Sequence, residues 1–229
     1  MKKKTFVGPH NIDILSAIFG GLLGDSYAEK RVGKTRTSTR ITMNQGNCNQ
    51  EYLFAAHKFL SSCGYCSIEK PKQKTVILKN NKTYFFRQIH TYSFASFNWL
   101  RDAFYPNGIK CIPTTELLEQ YLTPLALAVW ISDDGSATKT GGVRIATNCF
   151  SEQDILRVCK FLKYKYGILA TTPKAGKYGI LATTPKAGPS QKGKQQYNLY
   201  IRKQSVPILI TILSHLMAPS MLRKLHVKA

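Results

Sequence analysis

Two stretches of this chain end alike. An apolar, helix-forming run closes on a small residue and then an aspartate: Ile18-Phe19-Gly20-Gly21-Leu22-Leu23-Gly24-Asp25-Ser26 and Leu127-Ala128-Val129-Trp130-Ile131-Ser132-Asp133-Asp134-Gly135. In the first, Ala17, Gly20, Gly21 and Gly24 fall at i, i+3, i+4 and i+7, one helix face almost without side chains. Each glycine inside a helix costs about 1 kcal/mol against alanine, so such a face implies a closely approaching neighbour. The second run offers Ala126, Val129, Trp130 and Asp133 at the corresponding positions, which predicts two crossing helices with small residues facing large ones. Asp25 and Asp134 would then meet at two helix C-termini, where the helix dipoles and their own charges disfavour them. A divalent cation relieves both penalties, and oxygen ligands without nearby His or Cys point to a hard ion such as Mg²⁺. Either ending alone reads as a helix-stopping turn; the two together read as a site.

The chain carries 33 basic and 12 acidic residues, a formal charge of +21, which calls for a polyanionic partner. With 229 residues, 43% of them apolar, it can bury a core as one unit or two small halves. No run reaches the roughly 18 apolar residues of a membrane span. Met1-Lys2-Lys3-Lys4 has no apolar stretch behind it and is not a secretory signal. Six cysteines without a regular framework suit a reducing compartment, and Cys63-Gly64-Tyr65-Cys66 lacks the second pair that a zinc site needs. The histidines His10, His57, His90, His215 and His226 form no His-Asn-His cluster, and there is no Gly-rich phosphate loop.

Along the chain, Asn11 can cap a helix through Ile14, Leu15, Ile18 and Leu22. A β-hairpin follows, in which Thr37, Thr39, Ile41 and Met43 alternate with Arg36, Ser38, Arg40 and Thr42, apolar on one face and cationic on the other. A helix with Tyr52, Leu53, Ala56, Phe59 and Leu60, strands near Ser67–Leu78 and Thr83–Tyr92, and a helix over Phe94–Phe104 complete a half. After a linker the order restarts: Thr123-Pro124 opens the second motif helix, 142–148 reads as a strand, and Ser151-x-x-Asp154 opens another helix. Gln196, Asn198, Tyr200 and Arg202 then alternate with Tyr197, Leu199 and Ile201, and Val206–Leu213 starts a buried helix. Lys165–Gly176 recurs letter for letter as Lys177–Gly188, so one copy is expected to form a strand and the other to loop out.

At the two aspartate endings the chain resembles the LAGLIDADG homing endonucleases of the single-chain, two-motif branch, with Asp25 and Asp134 at the eighth motif position. The motif aspartates stand 109 residues apart, from 25 to 134, which is one half-chain. The resemblance implies an α+β, pseudo-two-fold duplicated αββαββα fold, halves 1–108 and 109–229, whose two antiparallel sheets form a DNA-binding saddle. It implies a metal site at Asp25 and Asp134 with Gly24 and Asp133 beside them. Lys110-Cys111-Ile112-Pro113 and Met221-Leu222-Arg223-Lys224-Leu225 resemble the branch's lysine contexts, so Lys110 and Lys224 are carried over as active-site lysines.

Strands of such a fold can lie in the major groove and offer side chains to base edges. Arg36, Arg40, Gln45, Arg87, Arg144, Asn148, Gln196, Asn198 and Arg202 are the candidates for base or phosphate contact. Lys70, Lys72, Lys74, Lys79, Lys82, Lys192 and Lys194 are candidates to neutralise phosphates. The resemblance further implies Mg²⁺-dependent double-strand cleavage of a long DNA target by a monomer encoded in an organellar intron, in mitochondrion or plastid. Two alternatives share this reading's scaffold: an intron maturase or RNA-binding protein, and a catalytically silent DNA-binding protein.

Overall fold

The structure is a computed structural model that describes residues 10–77, 80–172, 174–175 and 196–227. Helix α1 (Ile12–Leu23) begins at Asn11, whose side chain accepts the Asp13 N–H, as the sequence led one to expect. It leads into β1 (Tyr27–Val32) and β2 (Thr37–Gly46), antiparallel from Tyr27↔Thr42 to Val32↔Thr37. Helix α2 (Gln50–Ser62), strands β3 (Gln73–Ile77) and β4 (Thr83–His90), and helix α3 (Asn98–Phe104) complete the half; its sheet runs β1-β2-β4-β3.

The second half has α4 (Thr115–Tyr121), α5 (Pro124–Asp134), β5 (Gly135–Ala137), β6 (Val143–Ile145) and α6 (Glu152–Tyr166). Then come β7 (Ala170–Thr171), β8 (Lys174–Ala175), β9 (Gln196–Tyr197), β10 (Leu199–Ile201) and α7 (Val206–Leu213), before a final 3-10 segment, Pro219–Leu225. Its sheet, β5-β6-β10-β7, repeats the plan of the first, so the fold is the expected duplicated α+β arrangement with two four-stranded antiparallel sheets. Helix α4 was not foreseen. It buries Leu118 against the core and sets Tyr121 beside Phe19, ring centroids 5.8 Å apart, between the linker and Thr123.

The pairs Ile201↔Ala170 and Tyr197↔Lys174 keep one register, so β7–β8 and β9–β10 are a single interrupted hairpin. The first copy of the tandem repeat therefore supplies the strand. The second copy, Lys177–Gly188, lies outside the described residues, as do Lys79, Lys192 and Lys194.

The core lies between the helices and one face of each sheet. In β2, Thr39, Ile41, Met43 and Gln45 point inward; in β6, Val143 and Ile145 do, and Thr147 continues the row. The other face of β2 is less uniformly cationic than its alternation suggests. Thr42 is buried there, its hydroxyl 2.9 Å from His90 Nδ1, and Arg40 pairs with Glu29 across the hairpin.

The seam between the halves is α1 against α5. A Cβ on Gly20 would lie 2.2 Å from the Ala126 carbonyl oxygen, and one on Gly24 would lie 2.6 Å from Asp133 Cβ. The expected pairing of small against large side chains needs correction. Gly20 faces backbone, Gly21 faces Ser26 and Met43 of its own half, and Trp130 is buried in the core.

Candidate active site

The seam brings both motif endings together. Helix α1 stops at Gly24, which leaves Asp25 exposed just beyond it, whereas α5 runs through Asp134. Asp133 reaches across. One of its carboxylate oxygens accepts the Asp25 N–H at 3.2 Å; the other accepts Gln45 Nε2 at 2.9 Å and the Tyr52 hydroxyl at 3.0 Å. Gln45 Nε2 also donates to Asp25 Oδ2 at 3.2 Å. Asp133 is thus held by groups of the first half and ties its own helix to them.

Two lysines close the site. Lys110 Nζ donates to the Gly24 carbonyl at 2.6 Å, and Lys224 Nζ donates to the Ser132 carbonyl and, at 3.0 Å, to that of Asp133. Gly24 and Asp133 are equivalent, each preceding its motif aspartate, so each motif helix ends on one lysine. Cations there satisfy free carbonyls and oppose the negative end of the helix dipole.

The electrostatics record the crowding of acids. Burial, then the charge of Asp25, pushes the Asp134 carboxyl up to about 7 although Lys110 and Lys224 pull it down. Burial, then the charges of Asp25 and Asp134, raises Asp133 well above the usual range. Burial lowers both lysines, against the pull of the nearby carboxylates. Among the described residues no three His, Cys, Asp or Glu side chains form a ready metal cage. Two carboxylates short of positive charge nonetheless suit a hard cation that keeps several of its waters.

Residues 15–209 match the model of the LAGLIDADG DNA endonuclease family. The chain belongs to this family. Among relatives, the cytochrome b mRNA maturase bI2 of Saccharomyces cerevisiae is 38% identical over 226 residues, 96% of this chain and 48% of that protein. The chain therefore spans about half the length of that relative. The intron-encoded endonuclease ai4 of Dictyostelium discoideum is 31% identical over 75% of this chain and 99% of its own length. The solved structure of the homing endonuclease I-WcaI bound to its DNA recognition sequence superposes with a TM-score of 0.75 at 19% identity, covering 99% of this chain and 91% of that one, and shows the same fold.

Within this LAGLIDADG chain the other candidates are scattered along both sheets. Arg36, Lys72 and Arg202 are exposed. Arg40 and Arg31 both reach Glu29. Arg87 donates to the Pro71 carbonyl and lies over the Phe54 ring, and Lys74 donates to Gln88. Arg144 is half-buried, Asn148 donates to Gln196 at 2.8 Å, and Asn198 is buried. Gln45 does not stand with these; it sits at the motif carboxylates. Tyr52 reads in sequence as one apolar position of α2, and nothing in its spacing announces a hydroxyl at Asp133.

Proposed function

We propose that this protein is a site-specific homing endonuclease that makes Mg²⁺-dependent double-strand breaks in a long DNA target. The observation that carries this reading is the doubled ending: each motif helix brings one aspartate to the seam, and a lysine from outside that helix, Lys110 or Lys224, closes on its last carbonyls. Two scissile phosphates need two such sets.

Asp25 and Asp134 would hold the cation, which supplies Lewis-acid stabilisation of phosphate charge and a more acidic water. Gly24 and Asp133 contribute differently. The Gly24 carbonyl is engaged by Lys110, and the Asp133 carboxylate fixes Asp25 and Gln45. Lys110 and Lys224 place positive charge where the pentacovalent phosphate gains negative charge. The sheet faces would seat duplex DNA, with Arg36, Arg144, Gln196 and Arg202 toward bases or phosphates and Lys70, Lys72 and Lys74 toward phosphates; Asn198, expected among these contacts, is fully buried and does not reach them. We take the two halves to divide near residue 108, the protein to act as a monomer, and its gene to lie in an organellar intron.

A maturase role in splicing intron RNA is the second reading, favoured by the 38% identity to the yeast cytochrome b mRNA maturase. Selection of cleaved sites from a randomised duplex library in Mg²⁺ tests the first reading. Recovery of one long site is expected. Failure to cut any duplex, with tight binding to intron RNA, would favour the second.

A further inference from the structure

We propose that an apolar strip on the first sheet, made of Val76, Tyr84 and Phe86, reads the methyl groups of thymines that flank one of the two cuts. The proposal deepens the endonuclease reading and rests on duplex DNA being the substrate. Strand register fixes the face. Antiparallel partners put their side chains on one side of a sheet, and the pairs Asn44↔Gln88, Gly46↔Phe86, Lys74↔Phe86 and Val76↔Tyr84 share the side turned away from the helices. The helix side is taken by Ile41, Met43 and Ile89, all buried.

Val76 and Tyr84 are 42% and 46% exposed in a chain of net charge +21, and Phe86 lies half-buried beside them. The Tyr84 and Phe86 rings are nearly parallel, their centroids 6.2 Å apart and their planes 14° from each other. A Cβ on Gly46 would come within 2.6 Å of Tyr84 Oη, so the bare backbone there lets the tyrosine lie across β2. An exposed apolar patch of this kind marks a contact surface, and its position names the contact. With Asp25 and Asn44, the three side chains line one open cleft of about 480 Å³. A duplex that presents a phosphate to Asp25 therefore presents the neighbouring bases to them.

In the major groove the apolar feature of the base edges is the C5-methyl of thymine, which aromatic and aliphatic side chains contact directly. Reading of guanine by arginine is not offered at this end of the sheet. Arg87 lies on the helix side, over the Phe54 ring of α2, and Arg40 pairs with Glu29. The equivalent face of the second sheet is polar: Ser136 and Tyr200 pair with Arg144, and the Tyr200 hydroxyl lies 3.0 Å from that of Thr140. Dependence on thymine methyls is thus confined to one side of the target centre.

The test measures binding by fluorescence anisotropy, without Mg²⁺, to the duplex recovered by cleavage selection, with deoxyuridine replacing each thymine in turn. The exchange removes one methyl and leaves base pairing intact. For the wild type we expect a few positions on a single side of the centre to lose about fourfold in affinity each, the worth of one buried methyl. In Tyr84→Ser the thymine and deoxyuridine duplexes should bind alike at those positions, while the effects of exchanging G·C pairs on the other side persist. Indifference of the wild type to deoxyuridine at every position, or a penalty undiminished in Tyr84→Ser, would overturn the proposal. If Tyr84→Ser does not fold, Val76→Thr, isosteric and on the edge strand β3, is read by the same criterion. If no duplex is cut, the endonuclease reading fails, and the duplex retained by binding selection carries the same deoxyuridine comparison, so the two failures are told apart.

Discussion

Asp134 carries a heavy electrostatic burden, its carboxyl raised to about 7 by burial and by Asp25. An unfolded aspartate titrates near about 3.9, so the folded chain prefers the protonated form. The resulting penalty on folding is absent below about pH 4, grows with pH, and is complete above about pH 7. A cation bound at the carboxylates removes it. The rise in Tm on adding Mg²⁺ is therefore expected to be larger at about pH 8 than at about pH 5. Scanning calorimetry at the two pH values checks this, and equal rises would detach the aspartates from the metal. Asp25→Asn and Asp134→Asn should each abolish double-strand cleavage and spare target binding, read by gel shift alongside digestion. Normal double-strand cleavage by either variant would refute a shared site.

Among the elements, the α1–α5 crossing sets how closely the two endings can meet. Gly20 lies against the Ala126 backbone, which cannot yield without moving a helix, whereas a Cβ on Gly21 would meet the end of the Ser26 side chain at 2.7 Å. Gly20→Ala is expected to lose about 1–3 kcal/mol of stability despite the better helix propensity of alanine, and Gly21→Ala distinctly less. Urea denaturation measures both. Equal losses would mean that the close backbone approach is not what requires Gly20. Glycine spacing announced a tight crossing in the sequence, but not which glycine made it. Gly20 and Gly21 are adjacent letters, and only the rotation of α1 about its axis separates their roles.

For the whole molecule, the formal charge of +21 supplies the main long-range attraction toward a polyanion. If DNA is held through some six to ten phosphate contacts, affinity should fall by about a thousand-fold or more between roughly 50 and 200 mM salt. A nearly flat salt dependence in a binding titration would contradict that. Two candidate readers are already engaged: Arg40 with Glu29, and Arg87 with the Pro71 carbonyl. Net charge does not reveal such internal pairing, because it counts residues and not partners.

Local chemistry made much of this protein legible before its structure was known. The Asn11 and Thr123 caps, the alternation of β2, and the two apolar runs ending in aspartate each lie within a few residues, where helix and strand periods act directly. Lys110 and Lys224 became visible through the family resemblance and not through spacing, because charge alone does not distinguish them among 33 basic residues. Tertiary structure decided the rest. The turn of Asp133 toward Asp25, Gln45 and Tyr52, the arrival of Tyr52 from α2 and the choice of the first repeat copy as a strand all depend on groups brought together across the seam or sheet. Such contacts follow from how helices rotate and strands register once packed, which no local pattern of residues encodes.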